Sequence, residues 1–120
     1  MKAILLISHG SRAHETQEEV LRLVKSLREE AGYPILEHAF LDIESPSVPE
    51  AVASCVNQGA AEIVVLLNFL NSGKHILNDI PHLIREAREK YPQVAFKVPP
   101  HIGAHPQMPT LFLDLIKQTQ

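Results

Sequence analysis

A single cysteine in 120 residues excludes an internal disulfide and suits a reducing compartment. Cys55 sits in an apolar helical pattern and reads as a core thiol rather than a nucleophile. A basic excess is also missing. Eleven Lys and Arg stand against 14 Asp and Glu, for a formal net charge of −3. That leaves no positive field for nucleic acid or an anionic membrane. No apolar run is long enough to span a bilayer. The opening MKAILLISHGSR is too short in apolar residues for a secretory leader with its cleavage site. These absences point to a cytoplasmic protein. No internal repeat, low-complexity tract or linker divides the chain, so one domain over residues 1–120 is expected. A chain of this size buries roughly 65% of its extended surface around one core.

What is present is a regular alternation of two periodicities. Ala3 to Ile7 is continuous and apolar, as in a strand buried on both faces. Thr16 and Glu19 have capping-box spacing. Val20, Leu21, Leu23, Val24 and Leu27 then keep a helical stripe, closed by Gly32. Ile35 to Leu41 is a second strand. Ser47 and Glu50 have capping-box spacing before the stripe of Val48, Ala51, Val52, Cys55 and Val56, which Gly59 ends. Glu62 to Leu67 is the most strongly β-coded run. Asn78 or Asp79 can cap a third helix with Pro81 in its first turn and a stripe of Ile80, Leu83, Ile84 and Ala87. Val94 to Val98 is a short fourth strand. After a proline-rich loop, Leu111 to Ile116 starts a last amphipathic helix.

The order βαβαβαβα implies an α/β fold with a parallel sheet covered by helices on both faces. Right-handed crossovers favour a flavodoxin-like four-stranded order, 2-1-3-4. Its switch point lies between strands 1 and 3, and ligands bind outside the carboxyl ends there.

Two histidines converge on that point. His9 leaves strand 1 at its carboxyl end, and the loop after strand 3 carries Asn71, Ser72, Gly73, Lys74 and His75. Alone, a histidine after a strand is ordinarily a hydrogen-bonded loop residue. A second at the matching strand end points to metal or catalytic duty, because neutral imidazole is the commonest metal ligand and titrates near neutrality. A pair of imidazoles suits late first-row divalent metals better than magnesium or calcium. Of the others, His14 and His82 sit near helix starts and read as solvated. His38 reads as structural. His101 and His105 lie in the proline-rich loop, near enough to the crevice to be minor candidates.

Two motifs fail on inspection. SGKH lacks the phosphate loop's first glycine, which is Asn68, and has His75 where Ser or Thr should follow the lysine. SHG resembles the histidine-nucleophile phosphatases, but Ser8 replaces their arginine and with it the phosphate clamp.

A third pattern fits nearly the whole chain. SHGSR at 8–12, ESPSVPEAV at 44–52, GAAEIVVLLNFLNSGKHILNDIP at 59–81 and PPHIGAHP at 99–106 occur in order. Together they resemble the short class II tetrapyrrole chelatases, the sirohydrochlorin cobaltochelatases and nickelochelatases. Asn68 departs from the proline of many relatives, and Asn71-Ser72 from a less polar loop. The resemblance implies a chelatase half-domain and a nucleotide-independent lyase of tetrapyrrole biosynthesis, with cobalt of cobalamin biosynthesis. No organic cofactor is implied, since Co²⁺ or Ni²⁺ is itself a substrate. It implies that His9 and His75 bind the metal, that His9 accepts a proton, and that Glu44, Ser45, Leu70, Asn71, Ser72, Gly73 and Lys74 meet the macrocycle.

Larger relatives pair two α/β lobes across a cleft, so the resemblance also implies a homodimer with a shared site. Two open readings remain beside it: a non-catalytic metal or tetrapyrrole carrier on the same fold, and a phosphohydrolase using His9 as nucleophile.

Overall fold

The computed structural model describes all 120 residues apart from the side chains of His75 and Ile76. Strands β1 (Lys2–Ser8), β2 (Ile35–Phe40), β3 (Glu62–Leu67) and β4 (Ala95–Lys97) alternate with helices α1 (His14–Ala31), α2 (Val48–Asn57), α3 (Ile80–Lys90) and α4 (Met108–Lys117). The sheet is parallel throughout, in the order β2-β1-β3-β4. The expected α/β class, strand order and switch point between β1 and β3 are all observed. Among the described residues no helix is long and apolar enough to cross a membrane.

Strand β1 is apolar without alternation because it lies inside the sheet with a core on each side. Ala3, Leu5 and Ile7 join the larger core beneath α2 and α3, while Ile4 and Leu6 join a smaller one with Val24 of α1 and Leu36. Each buried Leu, Ile or Val contributes roughly 1.5–3 kcal/mol, so the α2/α3 face supplies most of the stability. Strand β3 differs from its continuous β-coding. Ile63, Val65 and Leu67 are buried, but Val64 and Leu66 are only half-buried. One face of β3 is covered and the other is partly open, because α4 does not lie on the sheet. None of α4 is buried.

The Ser47–Glu50 capping box forms as its spacing predicts. The Thr16–Glu19 box does not. Helix α1 begins at His14 with Ala13 as its N-cap and no side-chain cap, so Thr16 lies inside the helix. The Ser11 hydroxyl accepts the Ala13 N–H at 3.0 Å and shapes the entry instead. Gly32 closes α1 in the left-handed conformation, φ 73°.

Neither does Asn78 or Asp79 cap α3. The helix continues from a π-helical turn at His75–Asp79, and Asp79 is already right-handed helical (φ −72°, ψ −44°) without a side-chain cap bond. The remaining differences lie at ends. β1 gains Lys2 and Ser8, β2 stops at Phe40, β4 is limited to Ala95–Lys97 by its pairing with Glu62–Val64, and α4 starts at Met108 with Pro109 in its first turn.

Candidate active site

The carboxyl ends of β1 and β3 are tied together by polar bonds. The Asn68 N–H donates to the Ile7 carbonyl at 2.9 Å, continuing the ladder one residue past β3. Its side-chain amide donates to Ser8 Oγ at 3.0 Å. Ser8 is 4% exposed, and a buried hydroxyl needs such a partner. The carboxyl ends of the two strands are thus pinned together, and His9, the next residue, emerges exposed beyond them.

The loop after β2 grips the same segment from the other side. The Leu41 N–H donates to the Ser8 carbonyl at 2.9 Å, and the Asp42 N–H to the His9 carbonyl at 3.1 Å. Gly10 takes φ 103°, and a Cβ there would run into the Asp42 carbonyl oxygen, so this close approach requires glycine. Ile43 is held at φ 70°, left-handed for a β-branched residue, at a cost of roughly 1–3 kcal/mol. Bonds from the Ile43 N–H to Asp42 Oδ1 (2.9 Å) and from the Glu44 N–H to the Asp42 carbonyl (2.7 Å) offset that cost. The kink aims Glu44 back at the first loop, where its Oε2 accepts the Ser11 N–H at 2.6 Å. A short bond to a carboxylate is among the stronger kinds.

His9 Nδ1 lies 3.2 Å from the Gly10 carbonyl. A carbonyl only accepts, so in this bond Nδ1 is the donor. The side chain of the second predicted ligand, His75, lies outside the described residues. Leu70, Asn71, Ser72, Gly73 and Lys74 form an exposed run just before it. Ser45 is exposed beside Glu44, in a cis bond to Pro46. Among the described residues no group of three or more His, Cys, Asp or Glu side chains could hold a metal ion.

The other histidines sort largely as their positions suggest. His14 and His82 are exposed and pair with Glu18 (2.9 Å) and Glu86 (3.0 Å) one turn on. His105 Nδ1 accepts the Gln107 N–H at 3.0 Å. His101 lines an apolar groove that also reaches Asn68. His38 packs edge-on against Phe40 with ring centroids 5.6 Å apart. Burial holds its imidazole below the usual range, against the opposing pull of Glu37. Burial likewise pushes the Cys55 thiol up to about 11, so it is a core residue and not a nucleophile.

Two contributors escape a reading of motifs: Asp42, which supplies both the amide for His9 and the wall against Gly10, and Asn68 as the partner of Ser8. The second had a signal. Ile7 pairs with Leu67, so the polar residues Ser8 and Asn68 follow at matching positions on adjacent strands.

The sequence and the fold have counterparts among known proteins. The CbiX family model matches residues 3–119. The chloroplastic sirohydrochlorin ferrochelatase of Arabidopsis thaliana is 34% identical over 113 residues, covering 94% of this chain and 48% of that protein. The sirohydrochlorin cobaltochelatase of Sulfolobus acidocaldarius is 34% identical over 90 residues, covering 75% of this chain and 72% of its own. The crystal structure of the sirohydrochlorin chelatase SirB from Bacillus subtilis subspecies spizizenii, in complex with cobalt, superposes with a TM-score of 0.88. Its identity is 28%, over 98% of this chain and 50% of that one. The chain thus spans about half the length of several curated relatives it matches. With a family model running almost end to end and an archaeal relative matched over most of its own length, this chain belongs to the CbiX family.

Proposed function

We propose that this chain is a sirohydrochlorin chelatase, inserting a divalent metal into the macrocycle without nucleotide or organic cofactor. The observation that carries it is His9, exposed at the switch point on a loop braced from both sides, in a chain of the CbiX family. The relatives' names carry cobalt and iron, so these are the first metals to test, with nickel beside them.

Insertion requires a metal presented with open positions, removal of two inner N–H protons, and a ring held over the metal. His9 serves as ligand through Nε2, and His75 as the second ligand. Two protein ligands leave positions open for the incoming ring nitrogens, unlike a closed four-ligand site. His9 is also the proton acceptor. One nitrogen cannot bind metal and proton together, so the roles are sequential: as ring nitrogens displace the metal from Nε2, the freed imidazole takes one inner N–H proton, and the other passes to solvent.

The macrocycle's carboxylates meet local donors, since the chain is net negative. Lys74, the Asn71 and Ser72 side chains and the backbone N–H groups around Gly73 are exposed on one rim, with Leu70 against the ring face. Glu44 and Ser45 border the opposite rim.

The working unit proposed is a cytoplasmic homodimer of single lobes, each residues 1–120. A tetrapyrrole is broad and flat, and ligand sites bury most of their ligand. One four-stranded lobe offers one wall, and relatives of about twice the length are consistent with two. The test is to mix protein, sirohydrochlorin and Co²⁺, Fe²⁺ or Ni²⁺ under anaerobic conditions and follow the absorption spectrum. Repeated turnover is expected. Stoichiometric binding without turnover would make the chain a carrier, and phosphate release from a simple ester would revive the phosphohydrolase.

A further inference from the structure

Among the described residues, left-handed backbone occurs at Gly10, Gly32, Gly59 and Ile43. Glycine adopts it at no steric cost, whereas a β-branched residue there is an outlier. The backbone needs the kink at Ile43 (φ 70°), because it brings Glu44 to the Ser11 N–H. Glycine or asparagine would supply the same kink with less strain. The isoleucine side chain is therefore not required by the turn. Nor is it required by the core. Ile43 is 55% exposed and joins neither buried cluster. Strain of this kind collects at functional sites, and here it holds an apolar side chain out in solvent.

The loop carrying Ile43 lies against the one carrying His9. One residue earlier, the Asp42 N–H donates to the His9 carbonyl at 3.1 Å, and the Asp42 carbonyl stands where a Cβ on Gly10 would fall. Strand order places a counterpart on the far side. Strands β2 and β3 flank β1, so the loops after them stand on either side of His9, two strand spacings or about 10 Å apart. The loop after β3 presents Leu70, 63% exposed. Its backbone is anchored as well. The Gly103 N–H donates to the Phe69 carbonyl at 3.0 Å, and the Leu70 backbone leaves no room for a Cβ on Gly103. Two exposed apolar residues on anchored backbones thus stand on either side of the exposed imidazole.

We infer that Ile43 is a ring-face contact for the macrocycle, paired with Leu70 across His9, and so a specificity-determining residue. This deepens the proposed function and rests on it. A tetrapyrrole is flat and apolar over its faces, with carboxylates around its edge. A contact beside the imidazole must therefore be apolar, while those at the rim must be hydrogen-bond donors. Stiffness matters as much as polarity. A β-branched side chain has few χ1 rotamers. The backbone beneath it is fixed by bonds from the Ile43 N–H to Asp42 Oδ1 (2.9 Å) and from the Glu44 N–H to the Asp42 carbonyl (2.7 Å). Such a side chain has little freedom left to lose when the ring arrives. The strain in the free protein thus maintains a preorganised apolar surface next to the metal-presenting residue.

The test sets binding against stability. Metal-free sirohydrochlorin is titrated into the wild type and three variants by absorption. Urea midpoints and sedimentation-equilibrium masses are measured on the same proteins. Ile43→Gly and Ile43→Asn accept the left-handed backbone but remove the apolar side chain. Both are expected to unfold at or above the wild-type urea midpoint, yet to bind sirohydrochlorin about 10-fold more weakly. Ile43→Leu keeps an apolar side chain and is expected within about 3-fold of the wild type. In steady state the KM for sirohydrochlorin should rise in the Gly and Asn variants, while the Co²⁺ concentration giving half-maximal rate is unchanged. Wild-type affinity in either of these two variants would overturn the contact, as would an equal loss in Ile43→Leu. A urea midpoint that falls together with affinity would make Ile43 a packing residue, and a changed mass would make it a subunit contact; each overturns the inference. A wild type that binds sirohydrochlorin without turnover counts against the chelatase alone, since the titrations still decide the contact. A wild type that does not bind it would overturn both.

Discussion

The Ser11 N–H and Glu44 Oε2 meet at 2.6 Å, joining two loops 33 residues apart in the chain. The bond sets the position of the segment bearing His9 rather than its chemistry. Glu44→Ala should therefore lower kcat/KM about 10–100-fold through misplacement of His9, with secondary structure unchanged by circular dichroism. Glu44→Gln keeps an acceptor oxygen and should retain most activity. Equal losses in both variants would point instead to the carboxylate's charge or its proton-accepting capacity.

Removing the imidazole of His9 is predicted to abolish insertion. His9→Ala should reduce turnover at least about 100-fold, the scale of a lost acid–base group, and should not change unfolding by urea, because the residue is exposed. Protons compete with metal for imidazole nitrogens, so wild-type turnover should fall on acidification, and raised metal concentration should partly restore it. A turnover independent of pH, or a fully active variant, would exclude histidine from both roles.

Asn68 ties the end of β3 to that of β1 through a bond to the buried Ser8 hydroxyl. Asn68→Ala leaves Ser8 Oγ without that donor, and the expected cost is about 1–3 kcal/mol in urea unfolding. Serine and asparagine replaced together, as Ser8→Ala with Asn68→Ala, should cost less than the sum of the single changes, since no buried group is then left unpaired.

Stability should also depend on pH through His38. Burial lowers its folded-state pKa below the unfolded value of 6.5. Between the two values the unfolded chain binds the extra proton, so stability is fully present above about pH 6.5 and declines as pH falls toward the folded-state pKa. His38→Leu removes the group. Urea midpoints measured from pH 7.5 to 5 should therefore fall less in the variant than in the wild type. Parallel profiles would show that His38 does not drive this decline.

Much of this was legible in the chain itself. The continuous apolar run of β1, the alternating helical stripes and the Ser47–Glu50 box are local signals, and each formed where its spacing placed it. His9 at the end of β1 followed from strand length and topology alone. The misread helix starts have a common cause. Capping spacing also arises inside a helix, and at Thr16 and Asp79 the chain was already helical because the preceding turn had been set elsewhere: by Ser11 before α1, and by the π-helical turn before α3.

Sequence alone determined which strands pair, which strand is central and which loop carries the exposed imidazole, because periodicity and crossover handedness act along the chain. Only the tertiary structure decided what holds that imidazole and that α4 stands off its own sheet. The Glu44 carboxylate reaches Ser11 because Ile43 turns left-handed and Gly10 admits the Asp42 carbonyl, a fit between backbones far apart in sequence. Helix α4 has the pattern of a buried element, yet pattern states only that a helix needs an apolar partner. Where the helix stands depends on the loop before it, whose Gly103 N–H donates to the Phe69 carbonyl at 3.0 Å, and that contact is a property of the folded chain.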